Sequence, residues 1–138
     1  MNMRLSLLDT DILSELIKLR NTVVQNHALL YTQQIGPLTI SAITRYEVLR
    51  GFKQQNAVTQ LARFEVFCQN SIVLPLDNAT FDLASDLWSL ARTNGHPCND
   101  ADLLIAATAL QHNRLLITGN TRHFEWIPGL SIADWRDA

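Results

Sequence analysis

The sequence predicts an open α/β fold, with a parallel sheet covered by helices on both faces. Short apolar runs recur at residues 4–8, 38–40, 72–74 and 115–117. Each has the length of a strand and is too short for a helix. Longer segments with helical periodicity lie between them, and strands alternating with helices imply right-handed crossovers and hence parallel pairing. At 138 residues the chain is most simply one domain, 1–138.

Taken in order, residues 4–8 read as a short buried strand. Asp9 or Thr10 caps a helix that runs to about Leu19, and a second helix spans Thr22 to Gln33. Ile35-Gly36-Pro37 breaks that pattern before a strand at Leu38 to Ile40. Ser41 is the expected N-cap of a helix from Ala42 to Gln54, and another helix follows from Ala57 to Gln69. Ile72 to Leu74 is a third strand, closed by Pro75. The stripe Leu83, Ala84, Leu87, Trp88, Leu90, Ala91 gives an amphipathic helix from Asn78 or Ala79 to Thr93, stopped by Asn94-Gly95. Asn99 or Asp100 caps a helix over 101–112 that is apolar nearly all round, so it is expected to be central and buried. Leu115 to Ile117 is a fourth strand, and Leu130 to Ala133 is a short fifth.

Composition excludes several classes. Apolar residues make up 47%, which supports a core and argues against disorder. No apolar run reaches membrane-spanning length, and the N-terminus lacks the features of a signal peptide, so a cytoplasmic protein without a membrane partner is expected. Cys68 and Cys98 form no ligand pattern and read as reduced thiols. A net charge of −2 argues against a protein that coats DNA non-specifically.

Chemistry concentrates in three acids that are far apart in sequence, each where a strand hands over to a helix. Asp9 ends the first strand, Glu47 lies one or two turns after the second, and Asp102 opens the apolar helix. In an open parallel sheet the carboxyl ends of the strands gather on one edge, where ligands bind, so the three can converge. Carboxylates with no lysine beside them call for a cation, and hard oxygen donors suit Mg²⁺ or Mn²⁺. Each acid also has a plainer role. Asp9 can be a helix cap, Glu47 can pair with Arg50 at i+3, and Asp102 can offset a helix dipole. Asp11 is either a support for Asp9 or a first-turn acid. Asn120 is either a weak or water-mediated ligand or a turn residue. Arg45, Arg50 and Arg122 are candidates for holding phosphates. The four histidines show no metal-ligand spacing; His123 lies near the edge of the proposed site and is either an RNA contact or, as the plainer reading, a surface-loop residue.

Four blocks of the chain carry a resemblance. Leu7-Leu8-Asp9-Thr10-Asp11 and the residues to Leu16 resemble the opening of PIN-domain ribonucleases of the VapC toxin type. Ile40 to Gly51, around Glu47, resembles the second acidic motif of that family, and Asp102 to Leu110 the third. Leu115 to Phe124, followed by Ile127 to Leu130, resembles its C-terminal signature. The blocks occur in order, at the family's spacing, over nearly the whole chain.

The resemblance implies a three-layer α/β/α sandwich with a mostly parallel sheet of four or five strands. It implies a Mg²⁺- or Mn²⁺-dependent endoribonuclease that cuts tRNA or another structured RNA and so blocks translation. It further implies a small VapB-like antitoxin as partner, and a homodimer. Asp9, Glu47 and Asp102 carry over as the catalytic and metal-binding acids, with Thr10 and Thr44 at supporting small polar positions. Many members have Asp where this chain has Asn120. The exposed faces of helices 11–19 and 57–69 are expected antitoxin docking surfaces.

Two rival readings remain. Asp9-Thr10-Asp11 after a strand imitates the nucleophile motif of haloacid-dehalogenase-type phosphatases, which also need a lysine; only Lys18 and Lys53 exist. The other is an inactive interaction domain that keeps the PIN fold.

Overall fold

The computed structural model describes residues 3–137. Its strands are β1 (Ser6–Leu8), β2 (Thr39–Ser41), β3 (Ile72–Leu74), β4 (Leu115–Ile117) and β5 (Ile132–Ala133). Its helices are α1 (Thr10–Lys18), α2 (Thr22–Gln34), α3 (Ala42–Gln54), α4 (Val58–Gln69), α5 (Asn78–Asn94) and α6 (Asp100–Gln111). The expected α/β sandwich is present. The first and last strands are shorter than expected, because only the residues that find a neighbouring strand keep ladder geometry.

All pairings are parallel. β1 aligns Leu7 with Leu116 on β4, β4 aligns Ile117 with Ala133 on β5, and β2 pairs with β3. β2 packs beside β1, so the spatial order is β3-β2-β1-β4-β5. Side chains, rather than a ladder, close the β1–β2 seam. The buried Tyr31 hydroxyl accepts a hydrogen bond from Ser6 N at 3.0 Å. Arg114 Nη1 donates to Ser6 O at 3.2 Å and to Thr39 Oγ1 at 3.1 Å. Backbone groups that would be orphaned where two sheets meet are thereby satisfied.

Strand alternation separates two cores. Leu7 and Leu116 face α5 and α6, joining Leu87, Leu103, Ile105, Ala106, Phe124 and Ile127. Leu8, Ile40 and Ile117 face the other way, joining Ile12, Leu13, Val24, Tyr31, Phe64 and Trp135. A sheet buried on both faces needs apolar residues at successive positions, which accounts for the unbroken runs in the sequence. As expected, α6 is the most buried helix; Ala106, Ala107 and Ala109 are fully inaccessible.

Local chemistry sets the helix ends. Asn21, Ser41, Asp77 and Asn99 each accept a backbone N–H bond in the first turn of α2, α3, α5 and α6. Gly95 ends α5 in the left-handed conformation, with φ 69°. One member of the α5 stripe is misassigned by periodicity. Trp88 is 45% exposed, because Ala84, Leu87 and Ala91 form the side of α5 packed toward α6 and leave Trp88 at its edge.

Candidate active site

Asp9 leaves the end of β1 and caps α1, and its carboxylate is held from both sides. Oδ1 accepts from Thr10 N at 2.7 Å, and Oδ2 accepts from the Thr118 hydroxyl at 2.8 Å. Thr118 follows β4 directly, is wholly buried, and accepts from Asn120 N at 2.9 Å. Parallel pairing of β1 with β4 places this threonine beside the acid although they are 109 residues apart. Asp9 is only 5% exposed. Burial, followed by the charge of Asp11, raises its pKa from 3.8 to about 7, against the lowering effect of the Thr118 and Thr10 bonds; Asp102 adds a smaller push upward.

Asp11 points away from Asp9 toward the turn after β4. Oδ1 accepts from Ile12 N at 2.7 Å, and Oδ2 accepts from Gly119 N at 2.9 Å. Burial also pushes this carboxyl above the ordinary range, while those backbone bonds and the Arg136 guanidinium pull it down. Arg136 forms a close ion pair with Asp134 and donates from Nη2 to Gly119 O at 2.8 Å. The C-terminal segment therefore fastens the turn that carries Gly119 and Asn120.

Glu47 rises from the second turn of α3. The Thr10 hydroxyl lies 2.8 Å from Glu47 Oε1 and 3.1 Å from Thr44 Oγ1. Thr10 and Thr44, expected as supporting residues, thus join Glu47 to the residue after Asp9. Arg50 Nη2 lies 3.9 Å from Glu47 Oε2, so the plainer pairing coexists with the convergence. Lys18 and Glu47 line the same groove between α1 and α3. Among the described residues no ion pair joins Lys18 to Glu47, Asp9 or Asp102; the cation nearest Glu47 is Arg50.

Asp102 stands in the first turn of α6. Its N–H donates to the capping Asn99 Oδ1 at 2.8 Å, and its Oδ2 lies 3.2 Å from Asn99 Nδ2. His123 Nδ1 is 2.9 Å from the same Oδ2 and 2.9 Å from the Asn120 amide. With its hydrogen on Nδ1 the ring donates to Asp102 Oδ2, and with Nδ1 bare it accepts from Asn120 Nδ2, so the tautomer selects between the two bonds. His123 is therefore a partner of an acid rather than a free loop side chain. Thr118 did not stand out in the sequence, and His123 did so only as a residue near the edge of the site, with no sign of its bond to Asp102. Thr118 was detectable only as a hydroxyl immediately after a buried strand, and His123 carried no spacing signal.

Asp9 and Asp102 are close enough to sense each other's charge, and Glu47 reaches their edge through Thr10. Among the described residues no three His, Cys, Asp or Glu side chains already stand close enough to hold one ion. Glu47 is engaged by Thr10, and Asp102 by Asn99 and His123. The donor chemistry fits a hard divalent cation: the groups are oxygens, and Asp9 is a buried carboxylate crowded by negative charge that a cation would offset.

The PIN domain family matches residues 6–129. The chain is 30% identical over 130 residues to the tRNA(fMet)-specific endonuclease VapC of Shigella flexneri, covering 94% of this chain and 96% of that protein. The structure resembles that of DNA-bound VapBC from Salmonella typhimurium, with a TM-score of 0.85, 29% identity, and coverage of 96% and 99%. It also resembles a toxin–antitoxin complex from Klebsiella pneumoniae, with a TM-score of 0.71, 25% identity, and coverage of 94% and 97%.

Proposed function

From the premise that this chain belongs to the PIN domain family, we propose that it is a divalent-metal-dependent endoribonuclease, the toxin of a toxin–antitoxin pair acting in the cytoplasm. The relatives' names carry the nuclease and toxin assignments. The observation in this molecule that supports them best is Asp9, a buried carboxylate fixed by two hydrogen bonds and repelled by Asp11 and Asp102. Family membership displaces the phosphatase reading.

Asp9, Glu47 and Asp102 are the residues that would hold Mg²⁺ or Mn²⁺, with Asn120 and Asp11 as indirect supports. Such an ion, when bound, offsets charge on the phosphoryl oxygens of the scissile bond. The protein's own contribution is orientation. Thr10 N and Thr118 fix both Asp9 oxygens, Thr10 fixes Glu47, and Asn99 and His123 fix Asp102. Without a cation the acids repel a phosphodiester, so cation loading precedes productive RNA binding.

A structured RNA such as tRNA is the proposed substrate. The proposed antitoxin occupies the groove between α1, α3 and α4, which holds Ile17, Val48 and Phe52 and has Glu47 at one end. It continues past Phe64 and Phe67. Homodimerisation is proposed from the family resemblance.

The direct test is cleavage of purified tRNA in Mg²⁺ or Mn²⁺. Wild type is expected to cut and to stop cutting in EDTA, while Asp9→Asn and Asp102→Asn are expected to be inactive. Wild-type cleavage by both variants would refute the assignment.

A further inference from the structure

A cleft of about 460 Å³ opens between the end of α5 and the segment leading into α6. Its lining includes Trp88, Arg92, His96 and Cys98, and no acid. That is notable in a chain with 13 acidic and 11 basic residues. A short series of contacts joins the cleft to Asp102. Asp102 bonds to His123, the Trp126 indole N–H donates to His123 O at 2.9 Å, and the Trp126 ring stacks on His96 at 4.9 Å and 12°. On the far side the Arg92 guanidinium lies over the Trp88 ring, 4.7 Å from its centre. Trp88 stands half-exposed on a helix packed against α6.

Aromatic rings interleaved with a cation are the chemistry that holds unpaired nucleotides: a base stacks on a ring and the cation meets phosphate. Here Arg92 covers one face of Trp88 and Trp126 one face of His96, so a base would take the opposite face. We propose that this cleft is a base-stacking subsite for one unpaired nucleotide of the RNA substrate, flanking the bond cut at the acids. This rests on the nuclease reading above. It adds a means of substrate selection, because only an RNA that can expose a nucleotide at that distance from the scissile bond fills the cleft. The adjoining cavity, which shares Trp88, is different in kind: Phe81, Leu103, Leu104 and Asp100 line it, and an acid beside apolar side chains does not attract phosphate.

The test uses the full-length protein with its acids intact, in Mg²⁺, with short single-stranded RNA whose linkages are cleavage-resistant phosphorothioates. RNA is expected to quench tryptophan emission, and Trp88→Phe is expected to remove part of that quenching; Trp135 is buried, and the partly buried Trp126 beside His96 accounts for the remainder. Trp88→Ala should weaken binding by about fivefold or more with an unchanged thermal midpoint. Arg92→Ala should lower the salt dependence of binding by about one phosphate contact. Unchanged RNA affinity in both Trp88→Ala and His96→Ala overturns the subsite and leaves the nuclease reading intact. Failure of wild type both to bind and to cut RNA overturns the two together. Loss of self-association in Trp88→Ala with RNA affinity retained assigns the face to a second copy and overturns the subsite alone.

Discussion

Asp9 is the residue on which the electrostatics turn, and its behaviour has a definite sign. Its folded-state pKa of about 7 lies above the ordinary 3.8. Below about pH 4 folded and unfolded chains both carry the proton. From there to about pH 7 only the folded chain keeps it, so stability falls as pH rises through this window and levels off above it. Asp9→Asn removes the charge that burial disfavours and keeps an acceptor for Thr10 N. In EDTA at pH 8 the variant is expected to be more stable than wild type by up to about 4 kcal/mol, with the gain vanishing toward pH 4. Thermal melts across pH would show this, and a variant less stable than wild type at pH 8 would contradict it. Thr118→Val keeps the shape but takes away the hydroxyl from Asp9 Oδ2 and from Asn120 N. A loss of about 1–3 kcal/mol in urea unfolding is expected, together with a drop of about tenfold or more in cleavage.

Elements position these residues, and α6 shows how. Asn99 accepts from Asp102 N and also touches its carboxylate, so one side chain both starts the helix and sets the acid. Asn99→Ala is expected to cost about 1 kcal/mol by urea unfolding and to lower cleavage more than that small cost would imply. Activity equal to wild type would show that the cap leaves Asp102 unaffected. Element boundaries were largely legible in sequence, because buried three-residue strands are bracketed by Pro, Gly and capping residues. Asp9 and Glu47 were legible as candidates because each follows a buried strand, at its end or within two helical turns. Asp102 was legible only as an acid opening an apolar helix, and the strand expected before it is absent, since α6 follows α5. Trp88 was misread because a helical stripe gives a face without its edges, and the packing of α5 on α6 leaves Trp88 at the margin of that face. The bond of His123 was unreadable because its partner lies 21 residues away, across a packing contact that no spacing rule encodes.

At the scale of the whole molecule, a five-stranded parallel order presses two cores against one sheet and brings the ends of β1, β2 and β4 to a common edge. The Arg114 and Tyr31 bonds across the β1–β2 seam hold the Glu47 half against the Asp9 half, something no local pattern in the sequence announces. Leu116 is fully buried between Leu7 and α6, and Leu116→Ala is expected to cost about 2–5 kcal/mol in urea unfolding; a negligible loss would mean this face of the sheet is not packed as described. The central claim is that the fold draws Asp9, Glu47 and Asp102 into one cation site. Calorimetric titration of Mn²⁺ into wild type, Asp9→Asn, Glu47→Gln and Asp102→Asn tests it most directly. Measurable binding by wild type, weakened about tenfold or more in each variant, is the expected result. No binding by wild type, or affinities equal to wild type in all three variants, would contradict it.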